Sequence, residues 1–167
     1  MQICVSEIIK TVKKIEEETH ELKKLRSENA TYSYVMNEVP IKPQYEFMDI
    51  NHKIYENQRK IRYLRNLIAQ INSSTIVEHF GQTLGECIVH LGQTKQEISD
   101  LQRYINKQQK SRSTTYSGDV EYTELNYISK DVESLFNQLK LRLSKLQIDI
   151  DRTNLNTYRE VPEDICD

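Results

Sequence analysis

The sequence predicts an all-α protein: a long-helix antiparallel bundle or coiled coil of about four helices, with a small β-hairpin between helices three and four. Three observations support this class. Hydrophobic residues make up only 37% of the chain and charged residues 29%, a composition that suits long, thin helices. Apolar residues recur at alternating steps of three and four, as on one helix face. The length of 167 residues fits a single domain, residues 1–167.

The first two helices are predicted from two apolar seams. The seam within Val5–Glu28 comprises Ile8, Val12, Ile15, Thr19 and Leu22. The seam within residues 45–72 comprises Ile54, Ile61, Leu64, Ile68 and Ile71. Between them the period breaks at residues 29–44, where Pro40 and Pro43 remove backbone donors. We therefore expect a proline-containing linker that lets helix two fold back.

Helices three and four are predicted from N-capping residues at their starts and from the apolar stripes that follow. Helix three starts at "TLGE", a capping box in which Thr83 and Glu86 satisfy unpaired amides. Its apolar stripe comprises Leu84, Leu91, Ile98, Leu101 and Ile105. Helix four has Ser129 as its expected N-cap, and its stripe comprises Ile128, Val132, Leu135, Leu139, Arg142, Leu146 and Ile150. Narrow helices bury such single stripes most completely when subunits share a core, so we expect a homo-oligomer.

A polar insertion at residues 110–128 interrupts the helical pattern. Strand-forming residue types flank "SGD", which is turn chemistry; they are Thr114, Thr115 and Tyr116 before it, and Val120, Tyr122 and Thr123 after it. This pattern predicts a β-hairpin. Because isolated hairpins are marginally stable in water, we expect it to lean on a helix or to pair with another copy.

Charge and cysteine content indicate the compartment. The formal net charge is −2, so no basic field attracts nucleic acid, and nucleic-acid binding is disfavoured. The cysteines Cys4, Cys87 and Cys166 are odd in number and widely spaced, which argues against a disulfide framework. The start "MQICVSEIIKTVKK" does not have the pattern of a signal peptide, and no window has the apolar length of a membrane span. We expect a soluble cytoplasmic protein with no membrane association.

A family resemblance covers residues 68–156. The segments that carry it are "LIAQINSSTIVEHFGQTLGECIVHLGQTKQEISDLQRYI", "SRS" and "DVESLFNQLKLRLSKLQIDIDRTN". They contain an Asn-Ser-Ser-Thr cluster at 72–75, a Gly-x-Thr-Leu helix start at 81–84, the Ser-Arg-Ser triplet at 111–113, and a terminal helix ending near Asn154. With these features the chain resembles the septicolysin family of small bacterial helical proteins, although Leu155 stands where the family usually has Trp. The resemblance implies an all-helical fold with no settled activity, and the family name alone suggests a membrane-active toxin.

Metal and catalytic sites are disfavoured by the available spacings. Cys87 and His90 stand three apart with His79 nearby, but a structural zinc site needs four ligands, and Cys87 fits an apolar stripe. A nucleophile paired with either histidine lacks a visible orienting group, and there is no glycine-rich phosphate loop. Asp149 and Asp151 lie two apart on a helix and are interpreted as solvated charge. We expect no catalytic residues, metal or cofactor, and no enzyme.

Anion-binding chemistry is concentrated at the helix ends. Arg112 offers a planar guanidinium between two serine hydroxyls, and Thr83 lies at a helix N-terminus, where backbone amides favour negative charge. The candidate ligand-binding residues are Asn72, Thr75, Thr83, Ser111, Arg112, Ser113, Tyr116, Tyr122, Arg152 and Asn154. The two ends of helix three lie about 40 Å apart, so these residues could meet only across a subunit interface.

The sequence thus supports three functional hypotheses. The first is a non-enzymatic homo-oligomer that binds, and sequesters, a small anionic, nucleotide-like ligand in inter-subunit pockets, with the tyrosines stacking on a flat ring. The second is a coiled-coil scaffold or adaptor that engages a protein partner, in which the polar loops only cap helices and the tyrosines cement the oligomer. The third is the membrane-active toxin.

Overall fold

The computed structural model describes residues 1–43 and 45–166, the side chain of Cys166 excepted, and shows two compact units. The terminal unit comprises Met1–Thr75 and Thr153–Asp167, and the central unit comprises Ile76–Arg152. The sequence predicts one helical-bundle domain. Helical periodicity does not reveal the division, because the terminal unit is joined by short strands from opposite ends of the chain.

The chain is mostly helical, with three small antiparallel sheets among the described residues. Its elements in chain order are β1 (Gln2–Cys4), α1 (Val5–Glu28), α2 (Phe47–Ser74), β2 (Ile76–Val77), β3 (Gln82–Thr83), α3 (Leu84–Gln102), β4 (Lys110–Thr114), β5 (Val120–Glu124), α4 (Ser129–Asn156), β6 (Tyr158–Glu160) and α5 (Glu163–Cys166). The helical class expected from the sequence is therefore correct. The strands outside the hairpin were not expected.

In the terminal unit α1 and α2 pack in antiparallel fashion. Arg26 near the end of α1 donates to Asn51 near the start of α2 at 2.6 Å. The buried side chains are Val5, Ile8, Val12, Ile15 and Thr19 on α1, and Ile50, Ile54, Leu64 and Ile71 on α2. Most of both predicted seams is therefore buried, and α1 has the bounds that its seam predicts. Thr19 is accommodated because its hydroxyl donates to the Ile15 carbonyl at 2.6 Å.

The terminal unit is closed by pairing between β1 and β6. Ile3 lies opposite Arg159 in this pair, and Val161 N donates to Met1 O at 2.9 Å beyond its end. The pair and its flanks bury Ile3, Val5, Val161 and Ile165. Because three-residue strands carry almost no periodic signal, this long-range pairing is invisible to sequence patterns.

The linker predicted at residues 29–44 separates α1 from α2 and has no helix or strand in its described part. Val39 and Ile41 are 89% and 90% exposed there. Gln44, at the end of that prediction, lies outside the described residues. In the described part of the chain, no helix is both long and apolar enough to cross a membrane.

The central unit begins with a tight β2–β3 turn that leads into α3. Gly81 has a φ of 60°, which its lack of a Cβ permits, and its N–H donates to Val77 O at 2.9 Å. The α3 start at the Thr83 cap is as predicted. The helix ends at Gln102, before Ile105, the last residue of the predicted stripe. Asn106, which has a φ of 60°, follows the end of the helix.

The start of α4 differs from the prediction by one position. Ser129 is the first helical residue rather than the N-cap. The Ile128 carbonyl accepts the first helical hydrogen bond, from Val132 N at 3.3 Å. Along α4 the predicted stripe is buried only at Leu146 and Ile150, whereas Leu135 is 45% exposed and Ile128 is 60% exposed. The stripe is therefore only partly covered.

The predicted hairpin forms between α3 and α4, with its strands displaced along the sequence. Its turn spans residues 115–119, closed by Thr115 N donating to Asp119 O at 2.8 Å. Hydrogen bonds among the side chains of Thr115, Ser117 and Asp119 hold this turn. Tyr116 is thereby placed in the turn and not in a strand. At the base, Tyr127 packs edge to face on Tyr104, with ring centroids 5.9 Å apart.

We predict that core and linker isoleucines contribute very differently to stability. Ile8→Ala is expected to lower the free energy of unfolding by about 2–5 kcal/mol, because Ile8 is fully buried in the terminal unit. Ile41→Ala removes the same atoms from a 90% exposed side chain and should change it by less than about 0.5 kcal/mol. Urea unfolding followed by circular dichroism measures both, and equal losses would contradict the described core.

Candidate anion-binding groove

The predicted ligand-binding residues are distributed over both units. Asn72, Thr75 and Asn154 belong to the terminal unit, and each is half-buried. Thr75 occupies the C-cap position of α2, where its N–H donates to Ile71 O at 2.9 Å. The other seven belong to the central unit, on β3, on the hairpin and on α4.

Thr83 caps its own helix, as the capping box predicts, and its role as a ligand residue stays a prediction. Its N–H and hydroxyl donate to Glu86 Oε2 at 2.7 and 2.8 Å, and its hydroxyl oxygen accepts from Glu86 N at 3.2 Å. The carboxylate of Glu86 therefore already supplies negative charge at the α3 N-terminus. These hydrogen bonds, the one from the Thr83 backbone foremost, lower the pKa of Glu86.

The Ser-Arg-Ser triplet does not converge on one ligand within a single chain. Ser111, Arg112 and Ser113 are consecutive residues of β4, and successive side chains of a strand point to opposite faces. Both hydroxyls therefore lie on the face opposite the guanidinium. Help from the serines at the Arg112 guanidinium therefore needs groups on the other face of the strand, and it stays a prediction.

Arg112 instead shares a face with Tyr122, its direct neighbour on β5. Lys110 lies on the same face, with its Nζ 4.7 Å from the centre of the Tyr122 ring and in an ion pair with Glu124. We call this surface of Lys110, Arg112 and Tyr122 the basic face of the hairpin. All three side chains are exposed, and Tyr116 in the turn is also fully exposed.

Arg152 is a predicted ligand residue that lines a recess in the described part of the chain. It lines an open groove of about 420 Å³ in the central unit, the cation-lined groove. The groove is formed by His79, Phe80, Lys145, Ile148, Asp149 and Arg152. Its two sides come from the β2–β3 turn and from one face of α4, where spacings of three and four residues bring Lys145, Asp149 and Arg152 together.

Asp149 organises the charges of this groove. Its carboxylate is 3.2 Å from His79 Nδ1 and 3.3 Å from Arg152 Nη1. The Asp149 side chain is only 14% exposed, whereas those of His79 and Arg152 are 67% and 58% exposed. A largely buried carboxylate thus fixes two basic side chains that face solvent. Asp149 is therefore not the solvated charge that the sequence predicted.

The groove combines positive charge with apolar surface. Lys145 and Arg152 outnumber the single carboxylate of Asp149, and His79 adds a third positive charge when it is protonated. Phe80 contributes a half-buried ring and Ile148 a half-exposed aliphatic side chain. This arrangement suits a small anion that carries a flat or apolar group. The sequence signal for this groove was the spacing of residues 145, 149 and 152, which places them on one face of α4. That spacing became informative only when the structure placed His79 opposite this face.

Cys87 lies close to this region as a core residue. Its side chain is fully buried, and burial, followed by the charges of Glu86 and Asp149, raises the pKa of its thiol. Because the thiolate is the reactive form, this environment suppresses both nucleophilic and metal-binding chemistry at Cys87. No group of three or more His, Cys, Asp or Glu side chains in the described part of the chain is arranged to hold a metal ion.

Comparison with known proteins bears on the fold alone. No protein-family model matches the chain, and no curated protein sequence does. The structure is similar to the crystal structure of a functionally unknown conserved protein from Corynebacterium diphtheriae, with a TM-score of 0.70 and 19% sequence identity. The similarity covers 96% of this chain and 100% of that chain. The mostly helical fold thus has a counterpart among solved structures.

We predict that Glu86 makes stability acid-sensitive. Its pKa lies below the ordinary value of 4.5, so its contribution is present above pH 4.5 and is lost as pH falls through the folded-state pKa. The melting temperature of Glu86→Gln should therefore fall less steeply on acidification than that of the wild type. Glu97→Gln, an exposed change on the same helix, is the control. An identical acid profile for Glu86→Gln and wild type would contradict the prediction.

Proposed function

We propose that the chain is a non-enzymatic, homo-oligomeric protein that binds a small anionic, nucleotide-like ligand, with the cation-lined groove as the core of its site. One observation carries this proposal: the largely buried Asp149 fixes the exposed Arg152 and His79 beside an aromatic ring. Because these side chains are ordered before binding, the entropic cost of binding a ligand is smaller.

The chemistry of the groove suits a phosphate group. The contact with Asp149 uses one of the five N–H donors of the Arg152 guanidinium, whose planar fork matches phosphate oxygens. Lys145 adds a mobile ammonium one helical turn away. The Phe80 ring offers an aromatic surface on which a base can stack. A groove of about 420 Å³ also falls within the usual range for small-molecule sites.

A binding role is favoured over catalysis by the surroundings of His79. In the described residues, the polar partner of its ring is the Asp149 carboxylate, and no serine, threonine or cysteine side chain is hydrogen-bonded to it. The nearby thiol of Cys87 is fully buried with a raised pKa, so it is a poor nucleophile. The His79 and Asp149 pair therefore lacks the third member that nucleophilic catalysis requires.

The homo-oligomeric part of the proposal is supported by apolar side chains that the chain leaves uncovered. On α3, Ile88 and Val89 are 42% and 60% exposed; on α4, Leu135 and Leu141 are 45% and 67% exposed. We propose that a neighbouring copy covers these side chains and supplies polar groups from its hairpin. The inter-subunit pocket predicted from the sequence, with Arg112 and Tyr116 approaching Arg152, is retained on these grounds as a proposal.

The same uncovered surface favours a second candidate function. A coiled-coil scaffold or adaptor would use these apolar side chains to engage a protein partner, and the groove would hold no ligand. Kinship with the septicolysin family over residues 68–156 is also a proposal, based on the shared segments. It neither favours nor opposes either function.

Calorimetric titration with adenosine and guanosine nucleotides and with inorganic phosphate tests the first function. We expect at least one nucleotide to bind, and Lys145→Ala and Arg152→Ala each to weaken it at least tenfold. Lys130→Ala, which removes an exposed cation from the first turn of the same helix, should have no effect. A ligand at a hundredfold excess over Kd should also raise the free energy of unfolding by about 2.7 kcal/mol.

Two results would contradict the ligand proposal. One is the absence of binding by every compound in the panel, which would leave the scaffold function ahead. The other is equal loss of affinity in the Lys130→Ala control, because a diffuse charge effect does not require the cation-lined groove. A ligand whose affinity responds only to Lys145 and Arg152 would support the proposed site.

A further inference from the structure

The backbone pairing of the hairpin shows which of its polar groups face outward. Leu125 N donates to Gln109 O, and Thr115 N donates to Asp119 O, so these two pairs are hydrogen-bonded. Paired positions in an antiparallel ladder alternate between hydrogen-bonded and non-hydrogen-bonded types. The register therefore makes Arg112 and Tyr122 a non-hydrogen-bonded pair. The N–H and C=O groups of both residues point away from the partner strand.

The register therefore identifies which residues of β5 form its free edge. Val120, Tyr122 and Glu124 direct their backbone groups outward, and all five residues of β5 are exposed. In the described part of the chain, no backbone hydrogen bond to these outward groups is present. A five-residue exposed edge without proline is a template for another strand, and natural proteins seldom leave such an edge unprotected.

Charge selects which edge can pair with its own copy. If β5 pairs antiparallel with β5 of a second copy around a two-fold axis at Tyr122, Val120 faces Glu124 and Glu121 faces Thr123, so no like charges are directly opposed. This register also pairs all the outward groups of β5, giving about six hydrogen bonds. The equivalent pairing of β4 places Arg112 against itself, which is repulsive.

We propose that two copies of the chain join through the β5 edges of their hairpins, forming a four-stranded antiparallel sheet around a two-fold axis at Tyr122. The strand order is then β4, β5, followed by β5 and β4 of the partner subunit. Directly opposed residues share a face, so Arg112 and Tyr122 stand in one row with the partner's Tyr122 and the partner's Arg112. The basic faces of both hairpins thereby merge into one surface.

The merged surface fits a planar anion, because two adjacent tyrosine rings are flanked by guanidinium groups on both sides. Only the paired state contains this row, since one chain supplies half of it. The proposal rests on the homo-oligomeric part of the proposed function and is independent of the cation-lined groove. Loss of nucleotide binding in groove variants therefore leaves it untouched, and its own test does not involve a nucleotide.

Cysteine cross-linking tests the pairing. In the proposed sheet the two Tyr122 Cα atoms lie about 5.5 Å apart, within disulfide reach. Arg112 and the partner's Arg112 are three strand spacings apart, roughly 14 Å, which is out of reach. Under mild oxidation of the full-length protein, Tyr122→Cys should give a covalent dimer on non-reducing gels. Arg112→Cys, on the same face of the same exposed hairpin, should remain at the wild-type background.

A proline pair tests whether the backbone edge is responsible. Val120→Pro removes an outward N–H of β5, so in the Tyr122→Cys background it should reduce the dimer yield severalfold. Thr114→Pro removes an outward N–H of β4 and should leave the yield unchanged. The proposal is overturned if Tyr122→Cys gives no dimer above wild type, if Arg112→Cys gives as much, or if the two proline changes act alike.

Discussion

Incomplete burial of the apolar stripes in the central unit is the constraint on which the rest of the structure depends. The stripe of α4 is fully covered at Leu146 and largely exposed at Ile128. Apolar surface left in water forgoes about 25 cal/mol for each Å² that could be buried. A helix of 28 residues, about 40 Å long, presents more apolar edge than one narrow unit can cover. The uncovered part is the surface on which the proposed second copy would pack.

The cation-lined groove and the hairpin differ in how deeply their surroundings are buried. Asp149 lies between Leu146 and Ile150, both buried, so its carboxylate is shielded enough to hold Arg152 and His79 in place. The hairpin, in contrast, precedes the exposed end of α4, and every residue of its two strands is exposed. One polar element is therefore ordered by its own chain, while the other has unsatisfied edges and an accessible basic face.

Local features were predictable from sequence because their interactions span only a few residues. The α1 bounds follow from a seam at regular steps, and the α3 start follows from Thr83 and Glu86, which lie three residues apart. The two faces of the triplet at 111–113 were not predictable. They depend on whether the strand includes the triplet, since successive side chains alternate between faces only in extended backbone.

Features made by distant residues could not be predicted from periodicity. The β1–β6 pair joins residues near opposite ends of the chain through strands of three residues. The groove requires His79 to lie against Asp149, a contact across seventy positions that no spacing within one helix encodes. Arg152 was identified as a ligand residue for its charge and position, whereas its partner was assigned to solvent. Tertiary packing thus determines which polar residues are held in ion pairs and which stay in solvent.

Sedimentation velocity of the wild-type protein over a wide concentration range tests the central claim most directly. If the uncovered stripe and the free hairpin edge are satisfied by further copies, the mass should be a multiple of the 19.8 kDa chain and should fall only on strong dilution. A single species of 19.8 kDa at every concentration up to hundreds of micromolar would contradict the account, because the exposed apolar surface would then persist in solution without a second copy.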